Sequence, residues 1–399
     1  MDHSAQNAAL RRQHTLLIFT LTLLTFVLGT SEFVIVGLLK EVASDIGVTV
    51  AAAGSLVSGF AIAYAAGTPI ITAFVSRYPK YPLMLSLLCI FIIGNIVSAL
   101  SESFSLLMAS RIITAVVSGV LTALAMSVAN DVMPKERRSS AIALIFAGFT
   151  IANVMGVPLG TFTGQLGGWQ LTFWLTAALG ILALIISMLV LPRDLRGQKS
   201  SLADSIKLFT QPRILLAFFI PIFCFTGTYT IYTYITPILQ DGLHLSARFN
   251  GIVLLSYGLF SILSNVLAGK IARHNGIGKL RYVFLIQAAV LASLYFTMDS
   301  AFLGLVSIML IAVMLYAMNA SIQLYFMDLA KKYSPGAQDF ASSLTPVSVN
   351  IGIASGSALG GVVVSSGSLT HLPWAGALAA LAASALAFIN FRLDKSGKN

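Results

Sequence analysis

Polar residues along this chain come in short clusters, separated by apolar runs of roughly 20 residues, the length a helix needs to cross a bilayer. Twelve runs can be counted, starting near Thr15, Ala52, Leu83, Ser105, Ser139, Gln170, Ile214, Asn250, Tyr282, Ala301, Phe340 and Trp374. One of them, FTGTYTIYTYITP, would read as a strand in a soluble protein, but an open strand cannot face lipid. The first run, Thr15 to Leu39, has no A-x-A-type cleavage site closely after it, so it reads as a retained helix and not a signal peptide. The pattern predicts an all-α membrane protein with twelve transmembrane helices.

The longest polar stretch between runs lies from Pro192 to Pro212 and contains RDLRGQKSSLADS. It divides the chain into an N-terminal six-helix bundle (1–192), a cytoplasmic linker (193–213) and a C-terminal six-helix bundle (214–399). An offset of 196 residues superimposes Gly156, Gly160 and Gly164 on Gly352, Gly356 and Gly360, Arg77 on Arg273, and Lys135 on Lys331. The two bundles therefore read as a pseudo-symmetric repeat about an axis along the membrane normal. That plan puts a solute site between the halves near mid-membrane, opened alternately by rocking. Small residues every four positions let helix backbones approach closely. On the fifth and eleventh helices they would either let those helices slide at the interface between halves or serve tight static packing.

Composition agrees with lipid as the main solvent. Charged residues make up 10% of the chain, against about 25% for a soluble domain. The net charge of +10 would suit nucleic acid, but its placement argues against that partner. With the N-terminus in the cytoplasm, 21 lysines and arginines fall inside and only Lys40 and Arg248 outside, leaving Arg111 within a helix. This is a strong positive-inside bias, and it predicts both termini in the cytoplasm. Trp169, Trp174 and Trp374 fall at the expected outer ends of the sixth and twelfth helices, where indole rings prefer the interface. Cys89 and Cys224 lie in apolar runs and read as small buried side chains, and no metal-ligand spacing occurs. No metal or cofactor is expected.

Of 38 charged side chains, only Glu32 and Arg111 are placed well inside the membrane. At 1.5 Å per residue both lie about 10 Å below the expected outer surface, so they can meet directly or through a solute. Desolvation favours the neutral acid and a nearby guanidinium favours the carboxylate. A pair whose separation changes with conformation would thus load and unload a proton, with Glu32 titrating because arginine stays charged. Two other readings stand beside this one: a static pair holding the first and fourth helices together, and direct binding of a cationic solute by Glu32. Tyr229 and Tyr232 share a helix face, as do Asn319 and Gln323, while Asn350 lies midway along the eleventh helix. Hydroxyls, amides and aromatic faces suit a sugar or an aromatic drug, or serve as interhelical glue.

Several stretches resemble the major facilitator superfamily, over nearly the full length. TSEFVIVGLL resembles the first helix of its bacterial drug:proton antiporters, in the branch of sugar and arabinose, purine and chloramphenicol efflux proteins. SRIITAVVSG is similar to the family's fourth-helix arginine motif, with Arg111 in the arginine place, and NDVMPKERRSSA resembles the loop after it. GFTIANVMGVPLGTFTGQLGGW, with Gly156, Pro158, Gly160 and Gly164, is similar to the antiporter motif. TYITPIL, with Tyr234, and NIGIASGSALGG resemble the seventh and eleventh helices of that branch. The family's loop pattern G-x-L-A-D-R-x-G-R-R is degenerate here: in TAFVSRYPKY, Ser76 takes the aspartate place and Pro79 the second glycine place. The resemblance implies a cytoplasmic latch there, resting either on Arg77 with Asp131 or on nothing more than Arg77 at lipid head groups.

Three functions follow as expectations. The first is a monomeric, proton-coupled exporter of a small molecule in a bacterial inner membrane. The second is a proton-coupled importer or uniporter of a nutrient, since fold does not fix direction. The third is a non-transporting receptor or enzyme, which the absence of H-E-x-x-H, G-x-S-x-G and P-loop motifs disfavours.

Overall fold

A computed structural model describes residues 3–75, 77–134, 137–195, 210–272, 275–333 and 338–396. Most of the expected linker, together with Ser76, Lys135 and Arg273, lies outside the described residues. Among the described residues every regular element is a helix. Twelve are long and apolar enough to span a membrane: α1 (Arg12–Ile46), α2 (Val50–Thr72), α3 (Lys80–Ala99), α4 (Phe104–Val132), α5 (Ala141–Gly167), α6 (Trp169–Val190), α7 (Pro212–Tyr232), α8 (Ala247–Ala272), α9 (Gly276–Thr297), α10 (Ala301–Tyr333), α11 (Leu344–Ser365) and α12 (Leu369–Asp394). The largest departure from the expected starts is at α9, which begins at Gly276 and not Tyr282, because the polar GIGKLR stretch is already helical. Side chains such as Leu166 (86% exposed) and Leu189 (81%) face outward, where only hydrocarbon solvates them without cost.

By packing, the chain falls into two compact units: Met1–Ile35 with Ala66–Ser200, and Val36–Ala65 with Ser201–Asn399. This division follows contacts, whereas boundaries at 192 and 214 follow chain topology. In the first unit α3 packs on α4 and α6, and α1 on α5 and α6. Their shared core includes Leu21, Leu24, Leu28, Leu88, Phe91 and Leu121. In the second unit α7 packs on α11 and α12, and α9 on α12.

The glycine stripes find their partners inside these units. Gly156 abuts Thr30 and Gly160 abuts Val34, both on α1. At the 196-residue offset the same pairs recur: Thr226 donates to the Gly352 carbonyl (3.4 Å) and Gly356 abuts Thr230. Gly360 lies against Tyr234, and Gly164 is buried in α5. The repeat is therefore one of contacts as well as of letters. Of the two readings of the stripes, these contacts support close packing within each unit. The glycines lie under α1 and α7, because only a missing Cβ allows so close an approach. At Gly356 a Cβ would fall 2.6 Å from the Thr226 carbonyl oxygen and 3.0 Å from the Thr230 nitrogen. Backbone atoms cannot step aside, so Gly356→Ala is expected to cost about 1–3 kcal/mol of stability, read as a lowered melting temperature in detergent.

Four helices are interrupted, each for a local reason. In α1 the α-helix ends at Phe33, tightens into a 3-10 turn at Val34–Leu38 and resumes at Leu39. It stops at Gly47, whose φ of +73° closes a left-handed cap that costs other residues a steric penalty. In α5 a π-turn, Ala152–Gly156, precedes Pro158, which has no N–H to donate back along the helix. In α7 the helix ends at Tyr232 and restarts at Ile235, just before Pro237. A proline ring crowds the carbonyl four residues back, here Thr233. In α10 the break at residues 315–318 contains no proline. There the N–H of Tyr316 donates to the Ser264 hydroxyl of α8 at 2.7 Å, so a side chain enters the helix ladder.

Candidate functional site

Glu32 occupies the last turn of α-helix in α1 before the 3-10 segment, 6% exposed. Within an α-helix the carbonyls of Ser31 and Glu32 would each receive an N–H from four residues ahead. At the junction the N–H groups reach back only three residues, and each carbonyl keeps a second lone pair for an outside donor. Arg111 of α4, fully buried, is that donor. Its Nη1 donates to the Ser31 carbonyl (2.7 Å) and hydroxyl (3.3 Å), and its Nη2 to the Glu32 carbonyl (3.1 Å). The guanidinium also lies 5.7 Å from the ring centre of Phe173 on α6.

The clamp extends sideways. Ser31 donates to Asn95 of α3 (3.0 Å), whose amide donates to the Phe91 carbonyl (2.9 Å). The arginine of α4 is thus tied directly to α1 and α6, and through Ser31 to α3. The pair foreseen from depth does meet, but the Glu32 carboxylate is not an acceptor of these bonds. Arg111 grips the main chain of α1 while its charge stays beside the acid. A proton can then join or leave Glu32 without dismantling the clamp.

The second unit gathers the aromatic candidates. Tyr229 stacks on Phe225 (ring centres 5.8 Å apart) and meets Tyr232 edge-on (5.3 Å). Tyr232 stacks on Tyr257 of α8 at 4.8 Å. The Tyr257 hydroxyl and the side-chain oxygens of Asn319 and Asn350 are buried without a hydrogen-bond partner among the described residues. The Asn350 amide nitrogen is spent on the Pro346 carbonyl (3.1 Å). Gln323, on α10, is half-buried. Tyr234 differs from its neighbours: its hydroxyl donates to the Ser357 carbonyl (3.0 Å) and its ring lies against Gly54 and Gly360. Tyr257 and Ser264 are not among the residues expected from sequence, although each is a polar group midway along an apolar run.

At the other end of the first unit, Lys80 takes the place expected of Arg77. Its Nζ lies 2.6 Å from Asp131 and 2.6 Å from the Ser127 hydroxyl, and the residue is only 4% exposed. Arg77 is exposed and lies over the ring of Tyr78 (5.3 Å). Its position beyond the end of α2 leaves it among surface groups, while Lys80, as the first residue of α3, points into the packing with α4. Lys80→Ala should therefore cost about 3 kcal/mol, the low end for breaking a buried pair, because Asp131 keeps 19% exposure. Arg77→Ala should change stability by less than about 0.5 kcal/mol. Melting of the two variants in the same detergent checks the contrast.

The family model described as Major Facilitator Superfamily matches residues 21–338. The MFS-type transporter YtbD of Bacillus subtilis (strain 168), itself uncharacterized, is 38% identical over 362 residues, covering 90% of this chain and 91% of that protein. The inner membrane transport protein YdhP of Escherichia coli (strain K12) is 31% identical over 368 residues, covering 92% and 94%. Among solved structures, the D-xylose-proton symporter superimposes with a TM-score of 0.75 at 15% identity, covering 94% of this chain and 97% of that one. A bacterial homolog of the human lysosomal transporter Spinster, inward-facing and occupied, gives 0.74 at 19%, covering 94% and 96%. At such identities the two structures speak for the fold alone.

Proposed function

This chain belongs to the Major Facilitator Superfamily, and from that premise we propose that it is a proton-coupled antiporter, exporting a small solute by alternating access. The observation that carries this reading is the buried acid on α1, held beside a guanidinium that grips main-chain carbonyls and leaves the carboxyl out of those bonds. An exporter run by a proton gradient needs one group that binds a proton in one state and releases it in another. Arginine stays charged in any accessible medium, so Glu32 is the member that changes.

The solute is largely uncharged or amphipathic, such as a sugar or a drug. Tyr229, Tyr232 and Tyr257 offer aromatic faces, and Asn319 and Asn350 offer buried oxygens that call for donors. Solute hydroxyl or N–H groups would supply them, and the set contains no carboxylate to attract a cation. The breaks in α7 and α10 fall beside these groups, as interrupted helices do at transporter sites. The bacterial relatives and the positive-inside bias support an inner membrane with both termini in the cytoplasm.

A thermal-shift screen of purified protein against sugars, purines, chloramphenicol-type compounds and cationic dyes tests the solute class, since a ligand stabilises the folded state by mass action. A stabilising compound is then offered to everted vesicles with an acidic interior. Accumulation inside them is the expected result. Proton-driven accumulation only in right-side-out vesicles would make the protein an importer.

A further inference from the structure

We infer that a groove between α9 and α12 binds an anionic phospholipid, with Arg281 as the ligand for its head-group phosphate. The groove has a volume of about 410 Å³ and is lined by Arg281, Tyr282, Leu285, Leu381, Ser384 and Phe388. Arg281 lies five residues into α9, about 8 Å along its axis. Its guanidinium is surrounded by ring faces, with ring centres 4.4 Å away at Phe391, 4.6 Å at Tyr282 and 5.7 Å at Phe388. A second cation, Arg392, stacks on Phe388 at 4.6 Å.

Aromatic faces hold a guanidinium in place but accept none of its hydrogen bonds in the plane. No described residue accepts one from Arg281, and its Nε is buried without a partner. This sets it apart from Lys40, Lys80 and Arg213, each of which pairs with an aspartate. The Ser384 hydroxyl is committed to the Arg281 carbonyl (2.7 Å), tying α12 to α9. The charge left in the groove is thus cationic, with guanidinium donors unspent, a match for phosphate oxygens.

The rest of the groove is hydrocarbon. Leu285 and Leu381, 47% and 44% exposed, continue from the guanidinium along the lipid-facing surface and offer a path for an acyl chain. The opposite ends of the same two helices carry Tyr295, Phe296 and Trp374, packed with ring centres 5.2 to 6.0 Å apart. Such a cluster marks the other membrane interface. Arg281 therefore lies at the level of head groups on the side that the positive-inside bias makes cytoplasmic, where anionic lipids are recognised by basic pockets between helices.

The test uses the full chain, delipidated in a neutral detergent, with lipid binding followed by native mass spectrometry and by melting temperature. The probes are phosphatidylglycerol, phosphatidylcholine with the same acyl chains, and glycerol phosphate. Phosphatidylglycerol is expected to bind saturably and raise the melting temperature, and the other two to do neither at the same concentration. Arg281→Gln should weaken phosphatidylglycerol binding by about tenfold, the scale of one charge-assisted hydrogen bond, while Lys270→Gln leaves it unchanged. Because Arg281→Gln also removes ring contacts, a phosphatidylglycerol with a photoreactive acyl chain gives a second readout on the wild-type protein. Its crosslinks should map to the segments around Leu285 and Leu381. Equal binding of phosphatidylcholine, an equal shift with glycerol phosphate, undiminished binding by Arg281→Gln or crosslinks spread evenly over the surface would each overturn the assignment.

Discussion

Glu32→Gln is expected to reduce proton-driven solute accumulation to background while leaving the fold in place. Glutamine keeps the shape and the hydrogen-bonding ends of the acid but can neither bind nor release a proton. The three hydrogen bonds from Arg111 to Ser31 and Glu32 end on two carbonyls and a hydroxyl and not on the Glu32 carboxylate, so stability should change by no more than about 1 kcal/mol. Exchange of labelled for unlabelled solute without a gradient should persist, because it requires the conformational cycle and no net proton movement. This pair of results separates coupling from architecture. A static ion pair would instead show itself as a marked loss of stability in the same variant. A carboxylate binding a cationic solute would lose exchange and accumulation together.

Arg111→Lys is the second large effect, and unlike Glu32→Gln it is expected to lower stability. The guanidinium reaches the Ser31 and Glu32 carbonyls with two different nitrogens, a span of the planar fork that one ammonium cannot copy. Each hydrogen bond from a charged group is worth about 1.5–3 kcal/mol, so losing one should lower both melting temperature and transport rate, the latter by at least about tenfold. The positive charge beside Glu32 is retained. The accumulation that remains should therefore still respond to a pH gradient. Comparing Arg111→Lys with Glu32→Gln thus distinguishes the role of the clamp from that of the acid.

The twelve helices were legible because their signal is length against bilayer thickness, which needs no knowledge of neighbours. That Glu32 and Arg111 lie level enough along their helices to meet was legible from residue counting. The identity of the acceptors was not. They arise from the change of helix type at Val34–Leu38, a backbone detail that no proline announces. Lys80 shows the limit from the other side. A lysine at a helix end reads as a topology signal whether it snorkels to water or turns inward to Asp131, and only packing decides between the two. The glycine spacing identified the faces of α5 and α11 that approach another backbone closely. It carried no information about which backbone, and the answer was α1 and α7 within the same units. The break in α10 depends on a hydroxyl from α8, so no reading of the α10 stretch alone contains it.

The central claim, that solute and proton are exchanged through Glu32, is tested most directly by counting protons released on binding. Purified protein in a weakly buffered solution receives the compound that stabilised it, while a pH-sensitive dye follows the medium. The wild-type protein is expected to release protons in proportion to solute bound, and Glu32→Gln to bind the same compound without any release. Equal proton release from both proteins would contradict the account.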